Sequence, residues 1–181
     1  MPENGFGVKP FWTKKLFEQL ARGLDVTVPV LGAVRASNVA QQQWARTRID
    51  ACTRGVSEPR VALLGLAYKP ETDTLRRSAA VELGLSLVRD GINVTAFDPA
   101  IRALPPEAQA IQLASSAQSA LEGADVAVLM TAWPEFKLLQ PSDLATRMRR
   151  PQIVDESGFL RYLAGAVGVR YTCLGFLNSH E

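Results

Sequence analysis

From Val61 onward the chain alternates short apolar runs with stretches of helical periodicity, and that alternation restricts the fold more than any other feature. Val61-Ala-Leu-Leu-Gly-Leu66 is apolar throughout and bounded by turn residues, the pattern of a strand covered on both faces. Ser78 to Arg89 carries Ala80, Val81, Leu83, Gly84, Leu87 and Val88 at helical spacing, and Asp90-Gly91 stops it. Asn93 to Phe97 reads as a second strand, Ile111 to Leu113 as a weak third and Asp125 to Met130 as a fourth. Gln152 to Val154 is the fifth and Val169 to Leu174 the sixth, with further helices at Ser115 to Leu121 and Ser142 to Met148. Strands alternating with helices pair in parallel through right-handed crossovers, which places residues 61–181 in the α/β class as a doubly wound sheet.

The residues before this alternation read as helical. Leu16, Phe17, Leu20 and Ala21 recur at helical spacing between Trp12 and Arg22, with Thr13 as a candidate cap and Gly23 as the stop. Pro29 opens a second helical stretch reaching Arg54, with Val30, Val34, Ala40, Trp44, Arg48 and Cys52 near one face. Two helices cannot enclose a core, so residues 1–55 must pack on the following domain or on another chain. Gly55 to Arg60 is the expected boundary.

Several classes are excluded early. With 47% apolar and 21% charged residues among 181, the chain is an ordinary globular sequence. A formal charge of +2 with scattered arginines gives no footprint for nucleic acid. No apolar stretch approaches the ~20 residues of a membrane span, and Met1 to Phe11 is not a secretory signal. Cys52 and Cys173 lack metal-type spacing and read as thiols in a reducing cytoplasm.

In a doubly wound sheet ligands bind beyond the carboxyl ends of the strands, where the strand order reverses. An order of 3-2-1-4-5-6 puts that crevice between the first and fourth strands. The loops to inspect are therefore Ala67 to Arg77 and Thr131 to Phe136. They supply Lys69 and Arg76 for an anion, and Tyr68 and Trp133 as flat apolar faces, a seat for a phosphorylated aromatic ligand. Gly65 is one glycine where a dinucleotide fingerprint has three. Asp98 reads first as the opener of an Asp98-Pro99 turn, with a ribose contact as the alternative. Asp73 and Arg76 stand three apart and are expected to brace their loop as a pair. His180, two residues from the end, leaves no internal histidine base for triad catalysis.

At these residues the sequence resembles the UDP-glucose/GDP-mannose dehydrogenases. Val61 to Ser78 is similar to the opening of that family's C-terminal domain. Phe97-Asp-Pro99, Ala124-Asp125 with Thr131 to Phe136, Ile153-Val-Asp155 and Tyr171 to Gly175 follow in the family's order. Asn4-Gly-Phe-Gly7, Phe11, Leu16 and Arg35-Ala-Ser-Asn38 resemble its active-site loop and central dimer-forming helix. The resemblance implies a Rossmann-like nucleotide-sugar-binding domain preceded by a helical dimerisation segment. It covers only the family's second half, so no NAD is expected in this chain, the cofactor belonging to the family's N-terminal domain.

The resemblance lapses where the family does its chemistry. Its cysteine nucleophile falls at Pro10 and its Lys-Asp pair at Thr13-Lys14, and a proline ring cannot form a thiohemiacetal. A family arginine after the fifth strand falls near Ser157. Tyr68 and Lys69, by contrast, match the loop by which the family touches the nucleotide sugar, while Lys9 and Lys14 add positive charge beside the former catalytic site. Three readings follow, with no catalytic residue and no metal in any. One is a non-catalytic module binding a UDP- or GDP-sugar through Tyr68, Lys69, Arg76 and Trp133. Another is a homodimeric or scaffolding partner of a full-length dehydrogenase. The last is one half of a split enzyme whose N-terminal-half partner supplies NAD binding.

Overall fold

The computed structural model describes residues 43–174, all within one compact unit. Six strands form one parallel sheet: β1 (Arg60–Leu64), β2 (Asn93–Phe97), β3 (Gln112–Leu113), β4 (Val126–Leu129), β5 (Gln152–Asp155) and β6 (Arg170–Thr172). Their order is β3-β2-β1-β4-β5-β6 and every pairing is parallel. The sheet is therefore the doubly wound α/β arrangement that the alternation implied. The order reverses between β1 and β4.

Alternate residues of the central strands feed two separate cores. Val61 and Leu63 of β1 join Val126, Val128 and Val154 on one face. Ala62 and Leu64 join Ala127, Leu129, Ile153 and Tyr171 on the other. This is why β1 and β4 are continuously apolar: neither face meets water. The first face is covered by α1 (residues 43–53) and α2 (Ala79–Arg89), through Ala45, Ile49, Ala80 and Leu87. The second is covered by α3 (Ala117–Ala120) and α4 (Pro141–Arg147), through Ala117, Ala120 and Leu144. Gly84 lets α2 sit close to the sheet, since a Cβ there would come within 2.7 Å of Ile111 Cδ1.

Differences from the sequence reading have local causes. β1 ends at Leu64 rather than Leu66, because Gly65 turns the chain at φ +92°. The buried face of α1 is Ala45, Ile49 and Thr53, one step round from the expected Trp44, Arg48 and Cys52. Arg48 is exposed, its guanidinium 5.8 Å from the Trp44 ring centroid, while Ile49 is fully buried. Arg46 pairs with Asp50 within α1 and ties α1 to α2 through Asp90 and Ser86. Residues 55–59 thus connect a helix and a strand that share one core. Val30, Val34 and the rest of the expected first helices lie outside the described residues. Among the described residues no helix is long and apolar enough to cross a membrane.

At the β5 end of the sheet, Asp155 is fully buried and accepts Tyr171 Oη–H at 2.6 Å. Burial, and then the bond to Asp155, push the Tyr171 phenol above its ordinary range. The folded state therefore holds this proton more tightly than the unfolded chain. That contribution is complete below the unfolded value of about 10 and is lost as pH rises above it. Tyr171→Phe is expected to lower the unfolding free energy at neutral pH by about 1.5–3 kcal/mol, as for a bond to a charged group. Urea unfolding from pH 7 to 11 checks this: the gap between the two proteins should narrow above pH ~10, and a constant gap would contradict the assignment.

Candidate functional site

The reversal point between β1 and β4 is bordered by residues 65–78 and 130–138, as the topology requires. The first loop has a rigid base and an open tip. At the base, Leu66 N–H and Ala67 N–H both donate to Asp98 Oδ2, at 2.7 and 2.8 Å. The carbonyl of Leu66 accepts Ser78 Oγ–H at 2.5 Å, and that of Ala67 accepts Thr131 Oγ1–H at 2.7 Å. Two consecutive residues thus have every backbone polar group taken by a buried side chain from elsewhere in the chain. Ser78 also caps α2, its Oγ accepting Val81 N–H at 3.2 Å.

At the tip, Tyr68, Lys69, Arg76 and Arg77 are all exposed, Tyr68 at 68%. The tip is shaped by bonds to backbone carbonyls: Tyr68 N–H donates to Thr74 O at 2.9 Å, and the Thr72 side chain's Oγ1–H donates to Lys69 O at 2.9 Å. Glu71 and Arg77 take positive φ values of 62° and 59°. Asp73 and Arg76 form no ion pair among the described residues, contrary to the sequence expectation. These turn bonds already close the loop, leaving the cations of Lys69, Arg76 and Arg77 without a carboxylate among the described residues. With the exposed carboxylates of Glu71 and Asp73 in the same loop, the three cations leave a small net positive charge, which beside an exposed phenol ring can meet a phosphorylated ligand with a flat face.

Trp133 stands elsewhere than expected. It is 7% exposed, packs in the core with Phe136 and Leu139, and its Nε1–H donates to Asp98 Oδ2 at 3.0 Å. An indole so placed braces the site from beneath and offers no open face for stacking. Its partner Asp98 is fully buried, with Oδ1 accepting Ala100 N–H at 2.9 Å. Asp98 therefore opens its turn and anchors two loops at once, with four donors on its carboxylate. Ser157, near which the family arginine falls, closes a turn onto Asp155 through N–H and Oγ–H, at 3.1 and 2.8 Å. Sequence reasoning missed Ser78 and Thr131, whose hydroxyls carry no periodic signal. Pro10, Lys9, Thr13, Lys14 and His180 lie outside the described residues.

A six-stranded parallel sheet reversing at β1/β4 defines the Rossmann-like α/β class. Within it, residues 62–162 match the UDP-glucose/GDP-mannose dehydrogenase family, UDP binding domain, and the chain belongs to that family. The UDP-glucose 6-dehydrogenase of Pseudomonas aeruginosa is 37% identical over 134 residues, covering 70% of this chain and 30% of the relative. That of Rickettsia typhi is 34% identical over 179 residues, covering 94% of this chain and 41% of the relative. Among solved structures, the UDP-D-ManNAc dehydrogenase of Pyrococcus horikoshii superposes with a TM-score of 0.70 at 25% identity, over 86% of this chain and 35% of that one. The chain spans well under half the length of these relatives.

The contact between Gly65 and Thr131 holds the two loops in register. A Cβ at position 65 would lie 2.5 Å from Thr131 Cβ and 2.7 Å from Thr131 N, at a φ of +92° that side chains disfavour. Gly65→Ala is expected to cost at least about 2 kcal/mol, from left-handed strain and overpacking together. Chemical denaturation checks it; a loss below about 0.5 kcal/mol, the usual range of neutral surface changes, would show that the contact is slack.

Proposed function

We propose that this chain is a non-catalytic binding module for a UDP- or GDP-sugar, with the ligand's phosphates at the loop of Lys69 and Arg76. One observation carries the reading. In a member of this family, the loop after β1 has a base clamped by Asp98, Ser78 and Thr131 and a tip that exposes Tyr68, Lys69 and Arg76. A preformed cationic tip binds without first ordering its backbone. Tyr68 supplies the flat face for a base or sugar, and Trp133 supports the loop from below.

The proposed absence of catalysis rests on Pro10, which stands where the family resemblance places the cysteine nucleophile. The proposed absence of NAD from this sheet has two supports. Gly65 is the lone fingerprint glycine and is closed against Thr131, and both oxygens of Asp98 are engaged by the protein itself.

Titration calorimetry with UDP, UDP-glucose, GDP and GDP-mannose tests the module. At least one should bind, and Lys69→Ala should weaken it roughly tenfold or more, the equivalent of one charge-assisted contact. Binding should also weaken with added salt. Protein mixed with UDP-glucose or GDP-mannose and NAD should form no NADH. No heat and no thermal stabilisation at millimolar ligand would sink the binding reading, and protein-dependent NADH would sink the non-catalytic one.

A second reading, compatible with the first, is self-association or scaffolding through the helical stretch that the sequence predicts from Pro29 to Arg54. It is favoured by Trp44, which stays only half-buried beside Arg48 although it packs on the core. A half-covered tryptophan on a helix flank is a usual constituent of an interface. Sedimentation at micromolar concentration should give a symmetric dimer, and a monomer would exclude it.

A further inference from the structure

Asp98 follows β2 and Trp133 lies in the crevice loop after β4, and neither offers an open surface to a ligand. Asp98 is fully buried and Trp133 nearly so. Their bond adds an indirect tie between the loops after β1 and β4, beside the direct bond of Thr131 Oγ1–H to Ala67 O. Trp133 Nε1–H, after β4, shares one carboxylate oxygen with Leu66 N–H and Ala67 N–H, after β1. Those two amides lie immediately before Tyr68 and Lys69. Three donors on one oxygen fix its position more tightly than any one of them, and removing one leaves the others free to shift. Among the described residues, the direct side-chain tie between these loops, Thr131 Oγ1–H to Ala67 O, holds the far side of the same residue.

We propose that Asp98 and Trp133 are positioning residues: the indole sets the carboxylate, the carboxylate sets the amides of Leu66 and Ala67, and the crevice loops move as one unit. The pair acts on a ligand only through where it places Tyr68 and Lys69. The affinity arm of this proposal rests on the reading of that loop as a nucleotide-sugar site; the mechanical arm does not.

The test begins without ligand, on the full chain. In Trp133→Phe, amide exchange at Leu66 and Ala67 should quicken by about tenfold, as for loss of a bond to a charged group. Should Trp133→Phe fail to fold, Asp98→Asn, which keeps the side chain's size, serves instead, with the Trp133 indole N–H expected to exchange faster. With 15N-indole labelling, adding UDP-glucose should shift the Trp133 resonance although the ring is buried. On UDP-glucose affinity, Asp98→Asn and Trp133→Phe should each cost roughly fivefold, and together no more than the worse of the two. Unchanged exchange at Leu66 and Ala67 in a folded Trp133→Phe overturns the coupling. So do additive losses of affinity, which are the mark of two separate structural roles. If exchange responds as expected but UDP-glucose moves no resonance and binds neither protein, the ligand reading fails and the coupling stands.

Discussion

Aspartates buried at strand ends hold this fold's loops in place. Asp98 after β2, Asp125 before β4 and Asp155 at the end of β5 are each nearly or fully inaccessible to water. A bare carboxylate in such a place is strongly unfavourable, so its surroundings must supply donors. Asp98 takes three backbone amides and an indole. Asp125 takes Arg60 N–H and the Arg149 guanidinium, closing the amino-terminal edge of the sheet. Asp155 takes the amides of Ser157, Gly158 and Leu160, the Ser157 hydroxyl and the Tyr171 phenol. Each carboxylate converts a flexible connection into a fixed one, since it is satisfied in only one arrangement of its neighbours. A parallel sheet supplies strands in register; these side chains decide where the loops leave it.

The division of labour explains what could be read from sequence. Fold class was legible because β1 and β4 must be apolar on both faces, and α2 must be apolar on one. Those are local patterns, a continuous apolar run for each strand and a ~3.6-residue repeat for the helix, visible in Val61 to Leu64, Val126 to Leu129 and Ala80 to Leu87. The register of α1 was not, because Trp44, Arg48 and Cys52 form as plausible an apolar stripe as Ala45, Ile49 and Thr53. Only packing against Leu63 and its neighbours separates the two. Trp133 was misread for a related reason. A tryptophan in a loop looks available for stacking until a buried acceptor such as Asp98 claims its N–H, and residues 35 apart in sequence give no local sign of that bond.

The polar anchors were the least legible. Ser78 and Thr131 have no special spacing, and their hydroxyls matter because they meet the carbonyls of Leu66 and Ala67 across 12 and 64 residues. Asp73 and Arg76 illustrate the converse. Their spacing suggested a pair, but turn bonds from Tyr68 N–H and Thr72 Oγ1–H already close that loop. An exposed ion pair adds about 0–1 kcal/mol, too little to set a conformation that those bonds determine.

The same balance bears on recognition. Ser157, near the position of the family's arginine, is a neutral residue spent on its own turn with Asp155. Lys69, Arg76 and Arg77 are unpaired among the described residues and solvated, which makes each charge individually weak at physiological ionic strength. The base of the loop that carries them is tied to a buried carboxylate and two buried hydroxyls, with an indole bonded to that same carboxylate. A substitution among those buried groups therefore alters the site's geometry while leaving its exposed chemistry intact.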